Sequence, residues 1–292
     1  AAHCSIGMGP VYAFGTEEQK QRWLPGAARG EYLASFGLTE PGAGSDAAAT
    51  RTTAVRDGDG WVLNGSKVFI TNANYCGYIV CTAVTRPGQG HRGISAFIVP
   101  NPTPGFTIGP AYEKMGLRSS DTRPLFFDNV RLPADALLGR EGEGFRQFMA
   151  TLDGGRISIG AMAVGIAQGA LDAALAYAKQ RVQFGQTISK FQAIQFKLAD
   201  MAMEVELARN MVLKAAWLKD QGRPFTREAA MAKLFASETA VRAANQAIQI
   251  HGGAGYMEDL PVSRFWRDAK LTEIGEGTSE IQRLVIARQL GC

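Results

Sequence analysis

The chain is poor in the residues that usually announce metal or thiol chemistry: four cysteines and three histidines in 292 residues. Cys4, Cys76, Cys81 and Cys292 form no CxxC pair, so neither a disulfide framework nor a zinc site is expected. They read as small buried apolar residues plus one terminal thiol, as in a reducing compartment. His3, His91 and His251 are far apart and lack metal-ligand spacing. Neither sign of charge dominates, since 31 Lys+Arg against 27 Asp+Glu leave +4 with no long run of either. That excludes a broadly basic nucleic-acid surface. No GxSxG elbow supports a serine hydrolase, and no GxGxxG follows a strand to suggest a Rossmann nicotinamide site. No apolar stretch reads as approaching the ~20 residues that cross a bilayer, so no membrane span is expected. The chain opens Ala1-Ala2-His3-Cys4, with neither an initiator Met nor the regions of a signal peptide, and is expected to be a fragment.

What is present divides into three textures. A hydrophobic fraction of 46% with 20% charged residues permits a large core. Residues 1–34 look helical: Thr16 and Gln19 form a capping box, and Pro25-Gly26 should stop the helix. Residues 35–140 look like strands. Turn signals at Asp57-Gly58-Asp59-Gly60 and Asn64-Gly65 flank Trp61–Leu63 and Val68–Ile70. Further strand candidates lie at 77–84, 93–99 and 124–130, and most of the twelve prolines precede residue 140. No helical period interrupts them, which favours an antiparallel sheet or barrel. Residues 141–292 look like a bundle of four helices. One begins near Ile157 with Ala161, Val164, Leu171 and Leu175 on one side. The next carries a seam through Phe191, Ile194, Leu198, Met201, Val205, Ala208, Val212 and Ala215. The third runs from about Thr226 to Ile250, and the last starts near Ser279, with Ser279 and Gln282 as a second capping box.

Five segments could carry chemistry. Leu38 to Asp46 is a glycine-rich loop whose backbone could cradle a phosphate, or form a polar surface turn. Glu276 sits between two glycines just before a helix, as a general base awaiting desolvation or as a solvated loop carboxylate near the helix dipole. Gln249 to Tyr256 ends a long helix with more glycine than a C-cap needs. Leu152 to Arg156 precedes a helix and offers Arg156 to a phosphate or to an acidic neighbour. Arg181 to Gly185 is followed by Gln192 at the start of the seam.

Taken together, LTEPGAGSD at 38–46, VFITN at 68–72, RVQFG at 181–185, QIHGGAGYM at 249–257 and EGTSEIQRLVIAR at 276–288 resemble the acyl-CoA dehydrogenase family, most of all its short-chain and short branched-chain members. The resemblance implies a mainly α fold with a middle β domain (barrel or sandwich) followed by a C-terminal four-helix bundle. Residues 1–34 would be the end of a truncated N-terminal helical domain. It implies FAD-dependent oxidation of an acyl-CoA to its trans-2-enoyl-CoA, with a carboxylate taking the α-proton while a hydride leaves the β-carbon for flavin N5. Glu276 matches that base; Gly155, where a few members carry it, cannot serve. The thioester oxygen would accept from a ribitol hydroxyl and from the backbone N–H of the base.

Carried over by position, Phe36, Leu38, Thr39, Gly44 and Ser45 line FAD, and Phe69, Ile70 and Thr71 pack on or bond its ring. Arg181, Phe184, Gln192, Gln249, Ile250, His251, Gly252 and Gly253 reach the FAD of a neighbouring subunit. Thr278, Ser279 and Glu280 close the cofactor site. Ser45, Asp153, Gly154, Gly155, Arg156 and Gly277 contact CoA or the thioester. The family also implies a homotetramer and an electron-transfer flavoprotein as electron acceptor. Location would be cytoplasmic in a bacterium, or the mitochondrial matrix in a eukaryote. The fold also serves acyl-CoA oxidases and non-catalytic relatives; the presence of Glu276 argues against the latter. One departure stands out: Gly275 replaces the Tyr that many members carry before the base, so a branched short acyl group is expected to fit.

Overall fold

The computed structural model describes residues 1–292. The chain divides into two compact units, residues 1–113 with 118–155, and residues 114–117 with 156–292.

The first unit opens with a π-helical turn at Ala2–Gly7, followed by helices α1 (Gly9–Phe14) and α2 (Glu17–Ala28). Thr16 and Gln19 close both bonds of the capping box, so the sequence reading of this start is met. The end differs. Pro25 lies inside α2, which runs on to Ala28 while Tyr32 closes on Gly26 so tightly that a Cβ there would meet the ring at 2.7 Å. A proline so near the helix end disturbs little of the remaining ladder.

Eight strands form one sheet: β1 (Leu33–Gly37), β2 (Thr53–Asp57), β3 (Gly60–Thr71), β4 (Cys76–Val84), β5 (Ile94–Pro100), β6 (Phe106–Ile108), β7 (Thr122–Leu132) and β8 (Leu137–Leu138). Their order is β6-β7-β3-β2-β4-β5-β8, with β1 on β4. The sheet is antiparallel except that β1 and one bridge of β2 run parallel to β4. Alternation decides the packing. Ile79 and Cys81 of β4, with Phe97 and Val99 of β5, join one core with Trp61, Leu63 and Leu125. Tyr78 and Val80, with Ala96 and Ile98, join a second with Val11 and Phe148. Burial on both faces explains the largely apolar run of β4, which Thr82 interrupts with a buried hydroxyl. The expected Asn64-Gly65 turn is instead a bulge inside a single strand, β3. Gly65 has φ +147°, the pairing with β7 slips there, and a Cβ would strike Thr52. Cys76 and Cys81 are buried, whereas Cys4, like Cys292, is exposed.

Helix α3 spans Gly144–Gln180, not a start near Ile157. Asp153 to Arg156 therefore lie within a helix rather than ahead of one. By length and composition this helix could cross a membrane, with an 18-residue window of mean hydropathy 1.5, contrary to the sequence expectation. Its stripe of Ala163, Ala167, Ala170, Ala174 and Ala178, however, is wholly buried in the core of the second unit. That stripe, not Ala161 and Leu175, is the packing face, because alanine lets helix backbones approach closely. A small hairpin, β9 (Val182–Gln183) with β10 (Gln186–Thr187), leads to α4 (Gln192–Asp220) and α5 (Thr226–His251). The α4 seam is buried at Met201, Val205, Ala208, Val212 and Ala215 as its spacing predicts. Two helices complete the unit, α6 (Pro261–Ile274) and α7 (Ser279–Gln289). The sequence reading missed α6. Its start is a proline at the first helical position, which marks a helix as readily as a break. The cap of α7 is Thr278, whose side chain accepts from Ile281 N, so the helix is capped one residue earlier than expected.

Candidate active site

In the first unit, β1 runs into the loop from Leu38 to Asp46. Glu40 and Ala43 exchange backbone bonds across Pro41-Gly42, and Thr39 O accepts from Val68 N at 2.9 Å, tying the loop to β3. Gly42 and Gly44 face open space, and Ser45 is exposed. Phe36 stacks on Phe148 at 4.2 Å. Phe69 is 65% exposed at φ +60°, with Tyr112 at 5.3 Å. An exposed aromatic side chain on a left-handed backbone is disfavoured twice over and marks a place where something else must compensate. Ile70, next in the chain, is buried and Thr71 is half-buried.

Behind this loop is an ion pair that sequence reasoning did not find. Lys67, wholly buried, donates to Glu40 Oε1 at 2.7 Å, to Thr82 at 3.1 Å, to Thr50 at 3.2 Å and to Leu38 O at 3.3 Å. Glu40 also accepts from Thr50 Oγ1, Arg51 N and Thr52 N. Burial opposes its ionisation, but Lys67 and these donors outweigh it and hold the carboxyl at about 2. Nothing local in the sequence pairs Glu40 with a lysine on a neighbouring strand.

In the second unit, α6 ends at Ile274, and Gly275 N closes on Leu271 O at 2.8 Å. Glu276 follows at φ +56° and Gly277 at φ +95°. Lys233, wholly buried on α5, donates to Gly277 O at 2.8 Å. Gln282, wholly buried on α7, donates to Gly277 O at 2.9 Å and Glu276 O at 3.2 Å. Glu276 Oε2 is enclosed and has no hydrogen-bond partner. Burial raises this carboxyl to about 7, against the pull of the Lys233 and Arg156 charges. Burial likewise lowers Lys233 to about 8, against the pull of Glu276. Arg156 is 5% exposed. Ser279 is buried, and Glu280 is exposed in the first turn of α7.

The remaining sequence candidates are dispersed, most of them over the second unit, with Asp153, Gly154 and Gly155 in the first. Ile250 and His251 point into the core; the ring of His251 stacks on Tyr177 at 4.2 Å, and its Nδ1 donates to Ala247 O at 2.7 Å. Gln249, Gly252 and Gly253 are exposed, with Gly252 at φ +61°. Arg181 and Gln192 are exposed, and Phe184 is 93% exposed at φ +51° in the tip of the hairpin. Asp153 and Gly154 are half-buried in α3, and Gly155 is buried.

Comparison with known proteins decides what these features belong to. Family models for acyl-CoA dehydrogenase match the N-terminal domain over residues 1–31, the middle domain over 35–130 and the C-terminal domain over 142–291. A probable acyl-CoA dehydrogenase, YngJ, of Bacillus subtilis is 66% identical over 99% of this chain and 77% of its own length. The chain belongs to the acyl-CoA dehydrogenase family. The mitochondrial short-chain specific acyl-CoA dehydrogenase of Bos taurus is 54% identical over 98% of this chain and 69% of its own. The solved butyryl-CoA dehydrogenase of Megasphaera elsdenii superposes with a TM-score of 0.98 at 49% identity, covering 100% of this chain and 76% of that one. The protein is thus an enzyme, an acyl-CoA dehydrogenase with short-chain relatives, and the fold expected from its motifs is the fold observed.

Proposed function

We propose that this enzyme dehydrogenates a short acyl-CoA between its α- and β-carbons, giving the trans-2-enoyl-CoA, with Glu276 as the base. The observation that carries this reading is the enclosed, unpartnered Oε2 of Glu276 on a left-handed backbone. A buried oxygen without a donor is costly, and an acidic C–H brought beside it would supply the missing partner. A carboxyl poised at about 7 divides its population between base and conjugate acid near neutrality, so it can take the α-proton and later release it. The thioester oxygen is where negative charge grows as that proton leaves, and backbone N–H donors at Glu276 would stabilise it there.

FAD fits the residues of the 36–45 loop and β3. Gly42 and Gly44 leave room for close approach, and Phe69 offers an exposed aromatic face. When bound, FAD accepts the hydride that leaves the β-carbon at N5. Phe36, Leu38, Thr39, Gly44, Ser45 and Phe69 to Thr71 would hold it, Thr278 to Glu280 would close the site, and Ser45, Asp153 to Arg156 and Gly277 would meet CoA or the thioester. Arg181, Phe184, Gln192 and Gln249 to Gly253 would serve the FAD of a partner subunit. The exposure of Phe184 supports that role. A homotetramer is supported by the exposed apolar residues Phe196, Met203, Leu207, Leu213 and Trp217 along α4. The domain division we propose is 1–34, 35–140 and 141–292, supported by the three family matches. An electron-transfer flavoprotein would reoxidise the flavin, and the enzyme would work in the cytoplasm of a bacterium or the matrix of a mitochondrion.

A Cβ at Gly275 would stand 3.5 Å from Leu271 O, an ordinary contact, so the missing Tyr leaves real space before the base. We therefore assign tolerance of branched short acyl groups to Gly275. Anaerobic titration of the full, flavin-loaded chain with butyryl-, isobutyryl- and isovaleryl-CoA tests both statements. Flavin bleaching by all three is expected. No bleaching by any thioester would overturn the activity, and bleaching by butyryl-CoA alone would overturn the role of Gly275.

A further inference from the structure

We infer that Lys233 and Gln282 are positioning residues that clamp the Glu276–Gly277 turn and so aim the base, an inference that rests on the reading of Glu276 above. Two consecutive left-handed residues, at φ +56° and +95°, break the chain between α6 and α7. A glutamate adopts that conformation only where its surroundings hold it there. Here the hold comes from a separate helix, α5, and from α7, which follows the turn. Lys233 of α5 and Gln282 of α7 are both wholly buried, and between them they occupy the carbonyls of both turn residues at 2.8–3.2 Å. Gln282 lies so close that a Cβ on Gly277 would meet its Nε2 at 2.8 Å, so the clamp also requires glycine at that position.

The choice of side chains is informative. The turn lies outside any helix ladder, and water could satisfy its carbonyls if it were a mere surface loop. A lysine brought wholly out of water is an expensive donor for one carbonyl, and core packing alone would be served better by Met or Leu. What Lys233 supplies that they cannot is a directed bond to the peptide next to the base, with a positive charge in its neighbourhood. Glu273, Glu276, Glu280 and Arg156 are the charged groups around it. Its bond goes to the Gly277 carbonyl, so it orients the base without neutralising it by contact. Gln282 shares the Gly277 carbonyl and adds a bond to the Glu276 carbonyl with a neutral amide. Small errors in the placement of a reacting group are enough to lose one to two orders of magnitude in rate, and the clamp is the part of this site that prevents them.

The test uses the full flavin-loaded chain with Lys233→Met, Gln282→Met and Glu276→Gln. Three readouts are needed: kcat and KM for butyryl-CoA, deuterium uptake at its α-carbon in D2O without an electron acceptor, and Tm. For Lys233→Met, kcat and the exchange rate should both fall by about ten- to a hundredfold. KM should stay within about threefold and Tm near or above that of the parent, since ground-state binding and packing are kept. Gln282→Met should fall in the same way and decides the matter if Lys233→Met does not fold. A kcat within about twofold of the parent in either folded variant, whatever its Tm, would overturn the clamp. So would a change confined to KM. Full exchange and turnover in Glu276→Gln would instead bring down the base assignment itself, a separate failure visible in a separate variant.

Discussion

The two buried lysines of this enzyme sit beside glutamates and both pull the carboxyl down, yet the two carboxyls end far apart. In the first unit Lys67 touches Glu40 at 2.7 Å, every nearby donor adds to the contact, and the carboxyl falls to about 2. In the second unit Lys233 gives its short bond to the Gly277 carbonyl, leaves Glu276 Oε2 without a donor, and the carboxyl rises to about 7. Both lysines are wholly buried. Burial opposes the ionisation of both glutamates; the difference is that Glu40 receives direct hydrogen bonds that outweigh burial, whereas Glu276 Oε2 receives none. Direct, multiple bonding makes a permanent carboxylate that fastens a loop; withholding those bonds leaves a carboxylate that burial holds near neutrality and that can exchange protons.

The largest expected effect tests the reactive half of that contrast. Glu276→Gln keeps the volume and removes the base, and the rate of flavin bleaching by butyryl-CoA should fall by about 10²–10⁴-fold. Stopped-flow absorbance measures it directly; a loss of less than tenfold would place Glu276 outside the proton transfer.

Next is the structural half. Lys67→Met strands the Glu40 carboxylate in the first unit, and denaturant unfolding should show a loss of about 3–5 kcal/mol. The double variant Lys67→Met with Glu40→Gln should recover most of it, because no unpaired charge remains. Equal losses for the single and double variants would mean that the contact is packing rather than charge.

The smallest effect is a pair of pH slopes of opposite sign. The folded-state value of Glu276 is raised, from 4.5 to about 7, so its contribution to stability is complete below 4.5 and is lost as pH rises through about 7. The parent should thus lose stability relative to Glu276→Gln across that window, in which Lys233, at about 8, remains protonated throughout. Over the same range kcat/KM should climb and level off as the base ionises. Glu40, lowered to about 2, behaves in reverse: its contribution is complete above 4.5 and is lost as pH falls toward 2. Urea midpoints measured from pH 2 to 8 on the parent, Glu276→Gln and Glu40→Gln check both signs, and parallel profiles for the two variants would erase the contrast.

Much of this was legible in one dimension, and where it failed the cause is physical. The Thr16–Gln19 box and the α4 seam were readable because capping and helical period are set within a few residues. The bulge at Gly65 was mistaken for a turn because Asn-Gly serves both, and only pairing with β7 on either side of it makes β3 one strand. The first part of α3 was missed because Gly154 and Gly155 look like a loop until a buried face is supplied. Glu276 was picked out from its motif and its glycine neighbours. Lys67 and Lys233 were not, since nothing in their own segments distinguishes them from ordinary core-flanking polar residues, and Gln282 was read only as part of a capping box, not as a donor to the Glu276–Gly277 turn.

By itself, then, the sequence determined the family, the order of helical and β segments, the glycine-rich loop and the identity of the candidate base, all of which are written in short contiguous strings. Tertiary structure alone decided which carboxylate is fastened and which is poised. Lys67 reaches Glu40 across 27 residues and Lys233 reaches Gly277 across 44. Desolvation and the choice of hydrogen-bond partner depend on what the fold brings together in space, and no local pattern of residues carries that information.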